Sequence, residues 1–93
     1  KGSHIDNAQF ASGSIIKGDV EHSIISRNCH IEEASHVENS IIFPKVTIGA
    51  GASVENSILD KNVVIAPGVT VHGTAEDPVV IAKGLEVLED IIK

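Results

Sequence analysis

Val20-Glu21-His22-Ser23-Ile24-Ile25, Val37-Glu38-Asn39-Ser40-Ile41-Ile42 and Val54-Glu55-Asn56-Ser57-Ile58-Leu59 are three copies of one phrase, each starting seventeen residues after the last. Between copies the apolar anchors continue at steps of five, six and six: Val20, Ile25, Ile31, Val37, Ile42, Ile48, Val54, Leu59, Ile65 and Val71. A helical face needs an apolar residue every three or four positions, and a half-buried strand alternates with period two. Steps of six describe instead a short strand plus a corner, three to a turn, so that anchors seventeen residues apart stack at about 4.8 Å. The expected fold is all-β: a single-stranded, left-handed parallel β-helix of about five coils, mostly of 17 residues.

The residues two positions before the anchors support this. Ser23, Cys29, Ser35, Ser40, Val46, Ala52, Ser57, Val63 and Val69 are all small or β-branched, as a narrow interior near a corner requires, since overfilling costs about 1–3 kcal/mol per site. The residues between face outward: Ile24, His30, His36, Ile41, Thr47, Ser53, Ile58, Val64 and Thr70. Ile24, Ile41 and Ile58 share one repeat position. They would form a hydrophobic ribbon on the outside of the prism, a suspected interface with another domain or subunit.

Outside the regular region the pattern loosens. Residues 1–20 form an irregular first coil, 21–71 three regular coils, 72–78 a loop, and 79–93 the last coil and its capping tail. The first coil is fifteen residues long, with its shortfall at Lys17-Gly18-Asp19, and Phe10 is expected to plug the open end. Asn62–Val71 is echoed by Pro78–Val87 sixteen residues later. Leu88, Ile91 and Ile92 suit a short helix or a last strand equally well. A solenoid end exposes unpaired backbone, so something must cover it. Lys1 is no translation start and Gly2-Ser3-His4 has the look of a tag scar, so a segment of a longer protein is expected.

Composition agrees. Apolar mass is mostly Ile, Val and Ala, with two Phe, three Leu and no Tyr, Trp or Met; β-branched side chains favour extended backbone. The net charge of −6, without a basic cluster, argues against nucleic acid and anionic membranes as partners. No apolar run approaches the roughly 20 residues of a membrane span. With one cysteine, no internal disulfide can form, which fits a reducing, cytoplasmic location.

Chemistry is sparse. No catalytic, cofactor-binding or metal-binding residue is expected. His30 and His36 fall on adjacent faces of one coil, His22 sits a corner away, His4 and His72 are near the ends, and no Cys/His ligand spacing occurs. Cys29 belongs to the small inward column, where a buried, inert thiol is expected. Glu21, Glu38 and Glu55 would stack as like charges, splaying into solvent or meeting a basic partner surface. Lys17, Arg27, Lys45 and Lys61 are scattered and could serve an anion site only where another subunit closes over them.

The six-residue units, among them Ile48-Gly49-Ala50-Gly51-Ala52-Ser53, resemble those of the bacterial hexapeptide-repeat proteins. Gly13-Ser14-Ile15-Ile16-Lys17-Gly18, the Val-Glu-Asn-Ser-Ile-Ile units and Asp60-Lys61-Asn62-Val63-Val64-Ile65 look like the C-terminal β-helix of glucose-1-phosphate adenylyltransferase over residues 5–73, and His72–Gly84 like that enzyme's accessory subunit. The resemblance implies a parent that makes ADP-glucose and diphosphate from ATP and α-glucose 1-phosphate in glycogen synthesis. It also implies an N-terminal nucleotidyltransferase domain that holds Mg²⁺ and ATP, and a tetrameric homo- or hetero-oligomer in which the β-helix serves structure, assembly and effector response. The alternatives are a trimeric hexapeptide acyltransferase, with His30, His36 or His72 as its catalytic histidine, or the C-terminal domain of another nucleotide-sugar pyrophosphorylase.

Overall fold

A computed structural model describes residues 3–93; Lys1 and Gly2, with the beginning of the suspected tag scar, lie outside the described residues. The chain winds as a left-handed parallel β-helix of about five coils, and its short strands form three parallel sheets. Sheet one contains, in spatial order, His4–Asp6, Asp19–Glu21, His36–Glu38, Ser53–Glu55, Thr70–His72 and Ile91–Ile92. Sheet two contains Gln9–Phe10, Ile24–Ile25, Ile41–Ile42, Ser57–Leu59 and Val79–Ile81. Sheet three contains Ile15–Ile16, His30–Ile31, Thr47–Ile48, Val64–Ile65 and Glu86–Val87.

The registers give the coil lengths. Val20, Val37, Val54 and Val71 pair in turn at intervals of seventeen, whereas Ile5 pairs with Val20 at fifteen. All ten anchors from Val20 to Val71 are buried, and so is every member of the small column two residues before them. Strands of two or three residues carry little twist, so the steric preference that makes longer crossovers right-handed has little purchase here.

Corners are built from left-handed backbone. Asn7, His22, Asn39 and Asn56 stack at one corner with φ near +50°; Gly13, Asn28, Lys45, Asn62 and Gly84 stack at a second; Ala34, Gly51 and Gly68 stack at the third. Asparagine and glycine predominate because they enter this region at least cost. The first coil is short at the third corner, where Gly18 approaches so closely that a Cβ there would lie 2.3 Å from Ser35 Oγ. The absence of a Cβ at Gly18 lets Lys17-Gly18-Asp19 turn two residues early.

Inside the first corner runs a buried serine ladder. Ser40 N–H donates to Ser23 Oγ (3.1 Å) and Ser57 N–H to Ser40 Oγ (3.2 Å). Each of the three hydroxyls donates in turn to the carbonyl two residues before it, at 2.8 Å. The repeat's invariant serine thus ties one coil to the next where the strands are interrupted.

One end departs from expectation, and the other decides between the two readings left open for the tail. Phe10 stands in register with Ile25 but is 50% exposed, in the first coil of the described residues; it does not seal the core. The sixteen-residue echo is a likeness of sequence and not the register: Val80 pairs with Ile58 and Val87 with Ile65, both at twenty-two residues. The loop 73–78 supplies the extra five, and any six-residue unit resembles any other whichever face it occupies. The tail forms a strand, Ile91–Ile92, which takes the open edge beside Thr70–His72. Leu85, Leu88 and Ile92 remain exposed at that end, so the tail pairs the backbone without covering the last apolar side chains.

Candidate functional site

Two outward surfaces stand out, one apolar on sheet two and one polar on sheet one. On sheet two, Ile24, Ile41 and Ile58 pair in register across successive coils. Val80 continues the row beyond Ile58 and is 65% exposed. The sequence reading missed Val80, since its spacing is twenty-two rather than seventeen. Gln9 ends the row at the other side of Ile24. An isolated exposed isoleucine is ordinary. Four β-branched side chains on adjacent rungs, at about 4.8 Å per rung, make a continuous apolar strip.

On sheet one, outward positions alternate around the buried valines. Asp19, His36, Ser53 and Thr70 form one row, and Glu21, Glu38, Glu55 and His72 the other. His36 Nε2 lies 3.0 Å from Glu38 Oε1 and 4.0 Å from Glu55 Oε2. His72 Nε2 is 3.8 Å from Glu55 Oε2 and 2.8 Å from Ser53 Oγ. Two of the column's three glutamates therefore do not splay fully into solvent: Glu38 and Glu55 lie beside histidines of their own chain. His72, placed near an end by sequence, is brought beside Glu55 because it lies seventeen residues further along the same row. His36 reaches both carboxylates because it is two residues before Glu38, on the same face.

The other candidates are dispersed. His30 is on sheet three, facing Glu32 at 4.0 Å, apart from His36 as expected. His22 occupies a first-corner position with φ of 47°. Among the described residues the lysine ion pair is Lys93 Nζ to Asp77, 2.9 Å. Lys61 Nζ sits 6.0 Å from the Phe43 ring centroid, too weak a grouping for an anion site. Cys29 is fully buried. Burial pushes its thiol above the ordinary range, partly offset by hydrogen bonds from the Val46 and Lys45 backbone, the Ser14 side chain and the Ser26 backbone. A thiol so placed is a poor nucleophile. No helix is long and apolar enough to cross a membrane among the described residues.

Known proteins place this geometry in context. The fold is similar to that of a histidine-to-asparagine variant of perosamine N-acetyltransferase from Caulobacter crescentus, solved in complex with CoA and GDP-perosamine: TM-score 0.76, 16% identity, covering 98% of this chain and 47% of that one. The chain thus spans about half the length of that protein, and at such identity the likeness speaks for the fold. No curated protein matches the chain. A sequence family described as GlmU-like, C-terminal hexapeptide matches residues 1–90. That match spans nearly the whole helix, anchors and corners alike, and the chain belongs to this hexapeptide-repeat family.

Proposed function

We propose that the chain is an assembly module, a β-helical rod whose second sheet docks a neighbouring subunit or an attached domain. The observation that carries this is the outward strip Ile24, Ile41, Ile58 and Val80, four apolar rungs in register on one face. Leaving such a strip in water forgoes about 25 cal/mol for each Å² that an interface would cover. Replacing Ile41 and Ile58 together by Lys in the full-length protein tests it. Sedimentation velocity should show a smaller species, or thermal unfolding of the attached domain should come earlier. Unchanged sedimentation, thermal stability and activity would reject the assignment.

Two finer readings follow for the parent protein, both cytoplasmic. A hexapeptide acyltransferase, most simply a trimer, is favoured by the fold likeness to an N-acetyltransferase and by the histidines and carboxylates on sheet one, where a neighbouring prism could complete a cleft. Here His36 or His72 would take the proton from an acceptor amine or hydroxyl as it attacks the acyl thioester carbon, and return it to the thiolate that leaves as the C–S bond breaks. The second reading is the C-terminal domain of a glucose-1-phosphate adenylyltransferase or its accessory subunit, resting on the Val-Glu-Asn-Ser-Ile-Ile units. In it a preceding domain holds ATP and Mg²⁺, and the parent assembles as a tetramer. The two are separated by assaying the full-length protein for acyl-CoA-dependent acylation of an amino sugar and for diphosphate release from ATP with glucose 1-phosphate. Acyl transfer abolished by His36→Ala or His72→Ala selects the first; diphosphate release indifferent to both selects the second.

A further inference from the structure

We propose that the outer face of sheet one carries a divalent transition-metal site built by His36, Glu38 and Glu55, with His72 as an additional donor. Each of the first three offers one ligand atom, and those atoms all lie within 4.8 Å of one another. Tetrahedral zinc with bonds of 2.0–2.2 Å holds its donors about 3.3 Å apart. His36 Nε2 to Glu38 Oε1 is 3.0 Å and His36 Nε2 to Glu55 Oε2 is 4.0 Å, so rotations of the side-chain ends suffice. His72 Nε2 is 3.8 Å from Glu55 Oε2 and would exchange its bond to Ser53 Oγ for the metal.

Three features besides proximity favour a cation here. Glu38 and Glu55 are direct register partners on adjacent parallel rungs, and Glu21 pairs with Glu38 on the other side. Like charges directly opposite one another are unfavourable in a sheet. None of the described lysine or arginine ion pairs reaches this column. The site also sits in the middle of the rod, on backbone fixed by ladders above and below, with side chains roughly one-third exposed. The donors are thus positioned in advance and a hydrated ion can reach them. Mixed imidazole and carboxylate donors suit Zn²⁺, Co²⁺ or Ni²⁺ better than Mg²⁺ or Ca²⁺, which prefer all-oxygen shells. The remaining coordination positions would hold water or a group from a docked partner. Such a site depends on neither parent reading; with the metal bound, the Nε2 lone pairs of its histidines are not free to serve as the base of the first.

The test uses the metal alone. Zn²⁺ is titrated calorimetrically into the chain, and Co²⁺ is added in parallel to follow visible absorption. Wild type should bind one Zn²⁺ per chain at micromolar concentrations, and Co²⁺ should develop the bands of a low-coordinate site. His36→Ala and Glu55→Gln should each weaken binding at least tenfold, and His72→Ala should weaken it less and alter the Co²⁺ spectrum. His30→Ala, on sheet three, should change nothing. Failure to bind at 100 μM Zn²⁺, or one-to-one binding that survives both His36→Ala and Glu55→Gln, would overturn the proposal. Binding lost equally in His30→Ala would do so too, by marking the uptake as adventitious. Circular dichroism of each variant, expected to match wild type because all these side chains are outward, separates loss of the site from loss of the fold.

Discussion

Ile41 and Ile42 are chemically identical neighbours on opposite sides of one wall, and shortening each to alanine should give very different results. Ile42 is 0% exposed and stacked between Ile25 and Leu59, whereas Ile41 is 42% exposed and stacked between Ile24 and Ile58. Ile42→Ala removes three buried carbons at about 0.8 kcal/mol each. It also leaves a cavity that the closed prism cannot easily collapse, so the total falls at about 3–4 kcal/mol. Ile41→Ala loses only its cross-strand contacts and half-covered surface, about 1 kcal/mol or less. For a domain of this size each kcal/mol moves Tm by about 4–8 °C. The buried substitution should then lower Tm by roughly 12–30 °C and the outward one by less than about 8 °C. Differential scanning calorimetry of the isolated chain reads both, at dilutions where Tm no longer depends on concentration, so that self-association through the strip does not enter. Equal losses, or a larger loss at Ile41, would refute the inward and outward assignments together.

Other consequences are as specific. Ser40→Ala deprives the Ser57 N–H of the hydroxyl it donates to in a buried corner, so urea unfolding should show a loss of about 1–3 kcal/mol. Ala34 holds φ of 63° where the next two coils have Gly51 and Gly68. Ala34→Gly should therefore raise stability by about 0.5 kcal/mol, relief of left-handed strain exceeding the entropy cost of glycine. Cys29 has its thiol pKa raised by burial. The unfolded chain deprotonates first as pH rises, so the associated stability is intact below the ordinary thiol range and declines above it. Cys29→Val, which copies Val46 and Val63 in the same column, should flatten the alkaline fall in Tm; an identical fall in both proteins would assign it elsewhere.

The regular coils were legible because one seventeen-residue phrase encodes three things at once. Its valine and final isoleucine or leucine fill the core, its serine ties the coils, and its asparagine or histidine turns the corner. Outside those coils that coupling breaks. Val80 belongs to the outward strip, but the 73–78 insertion removed it from the period by which Ile24, Ile41 and Ile58 were recognised. Leu88, Ile91 and Ile92 fit either of two local structures, and the choice was made by the unpaired edge of the Thr70–His72 strand, a tertiary fact. The histidine–glutamate group was readable in principle, since His72 follows Glu55 by one period. It went unnoticed because ligand motifs are sought at short sequence spacings, whereas a solenoid creates neighbours one coil apart.

Everything rests on the coils stacking rung on rung, and chemical cross-linking tests that most directly. Thr47 and Val64 are register partners on the outside of sheet three, whereas Thr70 belongs to sheet one. In a Cys29→Val background, Thr47→Cys with Val64→Cys should be bridged within one molecule by a short thiol-specific reagent, with the mass of the intact chain as readout. Thr47→Cys with Thr70→Cys should not. Efficient bridging of the second pair and not of the first would contradict the stacked three-sided coil.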